Sequence, residues 1–348
     1  MESREINVDG WRKVVHFQEP EAGFEAIIAV HDTSLGPGCG GCRVRRYDSF
    51  DDALTDVTRL SRGMTFKNAL GGIPFGGGKA VILADPRTEK TPAMFDAFGR
   101  AVEAMDGLYY TAEDSGVTED DLKIVRKHTK YVSGVAEDGE GGNPSPFTAR
   151  GVWRGVQAAA KHRLGADNLK DVRVAILGVG AVGMELARLL HEDGAKLVVA
   201  DVHEASVAKA VADFGAEAVS PEACAAADVD VFSPCALGGS IHRDMLSTLK
   251  ARVVAGAANN QLSTPDMDQA LFEKGVLYAP DYVINAAGVI SVGLEILDTW
   301  TADDMTRRID AIGGTLSQIF ARSKAEQRPT GAIADQMALE VIAKAPAA

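Results

Sequence analysis

The chain has 348 residues, 46% hydrophobic and 24% charged, with a net charge of -13. That length suits two domains better than one core, and the composition is that of a globular protein large enough to fold without disulfide or metal staples. The acidic balance argues against nucleic acid or an anionic membrane surface as partner, because both select basic patches.

Cys39, Cys42, Cys224 and Cys235 are too few and too unevenly spread for a disulfide framework. The opening MESREINVDGWRKV carries no apolar signal-peptide core, and no apolar run reaches membrane-span length, so a cytoplasmic protein is expected. FEAIIAVHDT (24–33) reads as a buried strand running into a loop. GPGCGGCR (36–43) follows, half glycine, with Cys39 and Cys42 in C-x-x-C spacing. A zinc site needs about four ligands, and the chain has no second C-x-x-C and no closely spaced histidine pair. A redox C-x-x-C begins a helix, which Gly40 and Gly41 disfavour. The stretch is therefore expected to be a glycine-rich loop that carries two cysteines and no metal.

FDDALTDVTRLSRGMTFKNAL (50–70) has helical spacing, with Ala53, Leu54, Val57, Leu60 and Met64 on one face. GIPFGGGKAVILADP (72–86) predicts a glycine loop and then an apolar strand, AVIL, stopped at Asp85-Pro86. PAMFDAFGRAVEAMDG (92–107) predicts a helix ended by Gly107. A strand at LYYT, a loop at 113–116 and a helix capped near Thr118 come next. Alternating strands and helices imply an α/β fold.

EDGEGGNPSPFTARG (137–151) is the expected junction between domains, followed by a helix over about 149–161. DVRVAILGVGAVGMELARLLHEDGAKLVVAD is a strand, turn, helix and strand, with G-x-G-x-x-G at Gly178, Gly180 and Gly183. Gly178 permits the tight turn, Gly180 lets the backbone approach a pyrophosphate, and Gly183 allows close helix–strand contact. Ala181 and Val182 open the helix whose N-terminal N–H groups face the phosphates. Asp201 ends the second strand, placed to accept hydrogen bonds from ribose hydroxyls and to repel a 2′-phosphate, which favours NAD over NADP. Further strands are expected at 228–234, 251–260 and 276–285, and 302–348 reads as helical.

Lys67 in GMTFKNAL and Lys79 in PFGGGKAV stand in apolar or glycine-rich surroundings. Each is either a solvated surface charge or a lysine drawn partly out of water, whose lowered pKa suits proton transfer near neutral pH. Asp114 in YYTAEDSG is either a loop cap or a catalytic acid/base, and the residue type does not separate it from Glu113.

Together these segments resemble the leucine/phenylalanine/valine dehydrogenase branch of the amino-acid dehydrogenases, nearest its leucine-specific members. The likeness spans nearly the whole chain: HDTSLGPGCGGCR, RLSRGMTFKNA, FGGGKAVI, YYTAEDSG, GNPSPFTARGV, LGVGAVG, SPCALGG, VAGAANNQL and YAPDYVINAAG. The resemblance implies NAD-dependent, reversible oxidative deamination of an L-amino acid to a 2-oxo acid and ammonium. It implies an α/β chain of two domains: an N-terminal α/β substrate domain (1–140, with 325–348 packing back on it) and a Rossmann-type NAD-binding domain (141–325), with a cleft between them. On that resemblance Lys67 binds the substrate carboxylate, the Gly40 backbone faces it, and Asn259 contacts the substrate. Lys79 activates water and Asp114 shuttles protons with it. Thr148 and Asn285 lie on the nicotinamide side. Cys39, Met64, Ala112, Val289 and Val292 line the side-chain pocket. A homo-oligomer, dimer or octamer, is implied.

Two departures from the family pattern stand out. Leucine dehydrogenases usually carry Leu where this chain has Cys39, and Gly often stands where it has Ala287. The smaller Cys39 widens the expected pocket, which shifts preference from leucine towards phenylalanine. The expected substrate is branched-chain. The alternatives are an aromatic amino acid, phenylalanine or tryptophan, or a catalytically silent NAD-binding protein.

Overall fold

The computed structural model describes residues 1–135 and 145–345. Most of the expected junction, 137–144, lies outside the described residues; its last residues belong to a helix, Ser145–Leu164, that starts earlier than the sequence implied. The chain forms two compact units: Met1–Gly142 with Val289–Thr301 and Ala338–Ala348, and Asn143–Gly288 with Ala302–Met337.

Among the described residues the first unit holds a seven-stranded sheet: β1 (Glu2–Glu5), β2 (Lys13–Glu19), β3 (Phe24–Val30), β4 (Gly38–Cys39), β5 (Cys42–Arg45), β6 (Gly76–Leu83) and β7 (Tyr109–Tyr110). The order is β1-β2-β3-β6-β4-β7, with β5 also beside β6. Both faces of β3 are covered. Phe24, Ala26, Ile28 and Val30 pack with Met94, Phe95 and Phe98 of the helix Pro92–Glu103. Ile27 and Ala29 turn the other way, onto Ala53 and Val57 of the helix Phe50–Leu70. That explains a near-continuous apolar run where a half-exposed strand would alternate.

Two details differ from the sequence reading. The helix Phe50–Leu70 buries Ala53, Val57, Ser61, Thr65 and Asn68, while Leu54, Leu60 and Met64 are only half-buried. The fully buried stripe thus turns polar midway, because the helix crosses the strand backbone there and needs small or hydrogen-bonding side chains. Second, Gly76, Gly77 and Gly78 are part of β6 rather than a loop before it. A Cβ on Gly77 would sit 2.1 Å from Thr65 Oγ1 and 2.2 Å from the Ser61 carbonyl. Bare backbone at this point is what lets the helix lie directly on the strand.

The second unit holds a parallel sheet of β8 (Arg173–Leu177), β9 (Lys196–Ala200), β10 (Glu217–Ala218), β11 (Val231–Pro234), β12 (Val253–Val254) and β13 (Leu277–Tyr278), in the order β10-β9-β8-β11-β12-β13. This is the doubly wound 3-2-1-4-5-6 arrangement of dinucleotide-binding folds. The last expected strand is short. β13 stops at Tyr278, and Asp281–Ile284 is a helical turn after Pro280, whose ring cannot donate to a ladder. The helical reading of the C-terminus holds for Ala302–Glu326 and Thr330–Ala343. Within the second unit, Asp310 receives paired hydrogen bonds from Arg150 and Arg154 at 2.9–3.0 Å, tying Ala302–Glu326 to Ser145–Leu164. Among the described residues no helix is long and apolar enough to cross a membrane.

Candidate active site

The GPGCGGCR stretch lies along β6. Gly38 and Cys39 pair with Gly76 and Gly77, the ladder breaks at Gly40–Gly41, and Cys42 resumes opposite Ala80. Lys79 is level with that break and pairs with Ala29 of β3 on its other side. So the stretch is two short strands interrupted by two glycines rather than a loop throughout. Both thiols are fully buried. Burial pushes Cys39 up to about 12 and Cys42 higher still, against the opposing pull of Lys79. They pack as small neutral groups, Cys42 among Phe24, Ile28 and Phe98.

Lys79 is 6% exposed, and its Nζ lies 2.5 Å from Asp114 Oδ2. Asp114 hangs from the segment after β7, where the Cys42 and Val44 N–H groups donate to the carbonyls of Ala112 and Ser115. Glu113 beside it is exposed, so geometry separates the two carboxylates that residue type could not. Burial opposes the charge on Asp114, but Lys79 and Arg43 outweigh it and hold the carboxyl below its ordinary value. Partial burial of its carboxyl, with Glu119 and Asp121 nearby, pushes Glu113 the other way.

The first unit also gathers Gly40, Met64, Lys67, Ala112, Val289 and Val292. A Cβ on Gly40 would lie 2.1 Å from the Gly78 carbonyl and 2.9 Å from Met64 Cγ. The Gly40 N–H donates to the Tyr110 carbonyl, and its own carbonyl accepts from the Tyr109 hydroxyl at 2.7 Å. Lys67 is one turn beyond Met64 on the same helix and half-buried. Ala112 and Val289 are buried, and Val292 is half-buried. Sequence reasoning passed over Asn68, whose amide donates to the carbonyls of Gly76 (2.6 Å) and Cys39 (3.3 Å) and so fixes β4 against β6 just before Lys79. Its signal was an amide on a helix face that must be buried.

In the second unit the G-x-G-x-x-G turn has the expected local form. Gly178 has φ +100, outside the range of ordinary side chains, and a Cβ on Gly183 would meet the Gly178 carbonyl at 1.9 Å. A Cβ on Gly180 would meet nothing within 4 Å, so the N-terminus of the helix Ala181–Glu192 is open to a ligand. Ala181 is exposed and Val182 half-buried. Asp201 accepts from the N–H groups of Val179 (2.7 Å) and His203 (2.9 Å), which aligns its carboxylate beside the turn. These features fit a dinucleotide. Two residues the sequence reading missed are Val202 and Leu237, large apolar side chains 80% and 86% exposed. Val202 follows Asp201, and Leu237 follows Ala236, whose backbone lies close to Gly178. Asn285 is buried and donates to Asn259 Oδ1 at 2.8 Å and to the Ala257 carbonyl. With its oxygen so engaged, the exposed Asn259 presents its NH2 group. Thr148 is in the first turn of Ser145–Leu164, and Ala287 is fully buried facing Gly151.

A dinucleotide turn on a doubly wound sheet and a buried lysine–carboxylate pair in a separate unit define a nucleotide-dependent dehydrogenase. The chain belongs to the Glu/Leu/Phe/Val dehydrogenase family. Residues 12–131 match the family's dimerisation domain and residues 199–348 match the Glutamate/Leucine/Phenylalanine/Valine dehydrogenase domain. It is 48% identical to leucine dehydrogenase of Geobacillus stearothermophilus, over 95% of this chain and 90% of that protein. It is 44% identical to phenylalanine dehydrogenase of Bacillus thermotolerans, over 82% and 76% respectively. The crystal structure of L-tryptophan dehydrogenase from Nostoc punctiforme superposes with a TM-score of 0.86 at 38% identity, covering 97% of each chain. The chain is thus an amino-acid dehydrogenase.

Proposed function

We propose that the chain catalyses the reversible oxidative deamination of a branched-chain L-amino acid: amino acid, NAD+ and water give 2-oxo acid, ammonium, NADH and a proton. The observation that carries the mechanism is the buried Lys79–Asp114 pair, 2.5 Å apart beside the ladder break at Gly40–Gly41. Lys67 binds the substrate carboxylate, and the Gly40 break gives the substrate room against the backbone. Asp114 takes a proton from the substrate ammonium. Lys79, in the form that has given up its own proton, deprotonates the water that adds to the iminium carbon and passes that proton to the carbinolamine nitrogen. It then takes the hydroxyl proton as the carbonyl forms and ammonia leaves. Ammonia picks up the proton held on Asp114 to become ammonium, and the proton left on Lys79 is the one released. Asn259 donates to the substrate from its free NH2 group. Cys39, Met64, Ala112, Val289 and Val292 form the apolar wall that accepts the side chain.

The cofactor is NAD. Bound NAD+ supplies the hydride acceptor. Gly178, Gly180, Ala181, Val182 and Gly183 hold its pyrophosphate and Asp201 its ribose, where the carboxylate disfavours a 2′-phosphate. Thr148 and Asn285 serve the nicotinamide side. The first unit is the substrate domain and the second the cofactor domain. The chain works as a homo-oligomer, dimer or octamer, and its four free thiols suit the cytoplasm.

The leucine dehydrogenase above is more similar than the phenylalanine and tryptophan enzymes, which supports a branched-chain substrate. The small, buried Cys39 favours a second reading, an aromatic substrate. NADH absorbance with leucine, valine, isoleucine, phenylalanine, tryptophan and glutamate, each with NAD+ and NADP+, tests both. Fastest turnover is expected with an aliphatic substrate and NAD+. Lys79→Ala should lose at least about 100-fold in kcat while binding NAD+ normally; undiminished turnover would refute the role of Lys79.

A further inference from the structure

Behind the Lys79–Asp114 pair runs a line of alternating charges. Arg43 on β5 points its Nε at Asp114 Oδ2, 3.5 Å away, so both cations face one carboxylate oxygen. The other end of the guanidinium is anchored: Nη1 donates to Asp56 Oδ2 at 3.0 Å. Asp56, on the helix Phe50–Leu70, is itself held by the Tyr47 hydroxyl at 2.8 Å and Arg59 at 3.1 Å. Arg43 Nε is buried and has no hydrogen-bond partner. A buried donor left unpaired is costly, and here it lies beside a carboxylate at the edge of hydrogen-bonding distance without forming the bond. The contact is therefore coulombic.

We propose that Arg43, anchored by Asp56, is a positioning residue for the reaction: its charge keeps the Asp114 carboxylate ionised and turned towards Lys79, and so sets the pH at which the pair takes up a proton. The proposal rests on the reading of Lys79 and Asp114 as the catalytic pair. The other groups facing Asp114 are the Cys42 thiol from β5, the Tyr109 hydroxyl from β7 and the neighbouring Glu113, with Asp121 acting on Cys42 and Glu113. Burial favours the neutral forms of Cys42 and Tyr109, which leaves Arg43 as the second cation holding Asp114 ionised. The sign follows. Without the guanidinium the pair binds its proton more readily, so the acid limb of the pH profile moves to higher pH.

The test compares the parent with Arg43→Met, Arg43→Gln and Arg43→Lys by the pH dependence of kcat/KM for L-leucine, alongside NAD+ affinity and thermal melting. Arg43→Met and Arg43→Gln should raise the acid limb by about one pH unit with NAD+ affinity unchanged, and Arg43→Lys should bring it most of the way back. Gln can still hydrogen-bond to Asp56, so it carries the test if Met unfolds the protein. A limb at the parent's pH in a folded neutral variant overturns the proposal, as does a limb displaced equally in Arg43→Lys. Lys79→Ala in the same series separates the two levels. If it keeps turnover, the catalytic-pair reading fails; if it is inactive while the neutral Arg43 limb stays in place, only the role of Arg43 fails.

Discussion

Cys39 pairs with Gly77 across β4 and β6, two positions before Lys79. A change in side-chain volume there acts close to the Lys79–Asp114 pair without touching its charge. Leucine is larger than cysteine by about two heavy atoms, and one methylene in an apolar pocket is worth about 1–3 kcal/mol of discrimination. Cys39→Leu should therefore lower the ratio of kcat/KM for phenylalanine over leucine by about tenfold. An unchanged ratio would remove Cys39 from the side-chain pocket. The same residues show the limit of residue type as a guide. Lys79 could be singled out from GGGKAV, but whether Asp114 or Glu113 partnered it was decided only by the exposure of one and the 2.5 Å contact of the other.

The unit of cause at the next scale is the crossing of the helix Phe50–Leu70 over β6. Gly77 lies under Ser61 and Thr65, Asn68 reaches β4 and β6, and Thr65 Oγ1 meets His31 at 2.9 Å. An added methyl would meet the Ser61 carbonyl and the Thr65 backbone nitrogen as well as Thr65 Oγ1, and helix backbone cannot yield to it. Gly77→Ala should cost about 3 kcal/mol, read as a lower denaturant midpoint, and should impair activity by displacing Lys79. Loss of activity with an unchanged midpoint would contradict this account. Helical periodicity found this helix to the residue, since Ser49 caps it through the Asp52 N–H and apolar spacing fills its first half. Its second half carried no apolar signal for its buried face: Ser61, Thr65 and Asn68 are polar in sequence and are buried by what they cross.

At the scale of the whole molecule, the chain alternates between its two units. Ala302–Met337 belongs with the second unit, and within it the Arg150–Asp310–Arg154 cluster joins its long helix to Ser145–Leu164. The Arg154 hydrogen bond, reinforced by Arg150, holds the Asp310 carboxyl well below the usual carboxylate range against a smaller opposing effect of burial. A depressed folded-state pKa gives stability that is present above the unfolded value, about 3.9, and lost as pH falls towards the folded value. The cluster is about a third exposed and so partly screened by water, which puts its worth at about 1 kcal/mol at neutral pH. Asp310→Asn should thus melt a few degrees below the parent at pH 7, and the gap should begin to narrow near pH 4 and shrink steadily as pH falls further. A gap that persists at low pH would assign the loss to packing instead.

The sequence by itself determined the alternation of strand and helix and the G-x-G-x-x-G turn with its three glycines, and it singled out Lys67, Lys79 and Asp114 as candidates for proton transfer. These are local properties: periodicity, backbone freedom and residue chemistry need only a few neighbours. It could not determine that GPGCGGCR becomes two strands broken at Gly40–Gly41, that Arg43 stands between Asp114 and Asp56, or that 302–337 and 338–348 go to different units. Those outcomes depend on which distant segments lie alongside, and strand pairing, ion-pair geometry and domain membership have no signature in a single stretch of chain. Tertiary structure decides them because burial removes water as a partner, so every polar group must find its match in a segment that sequence order does not name.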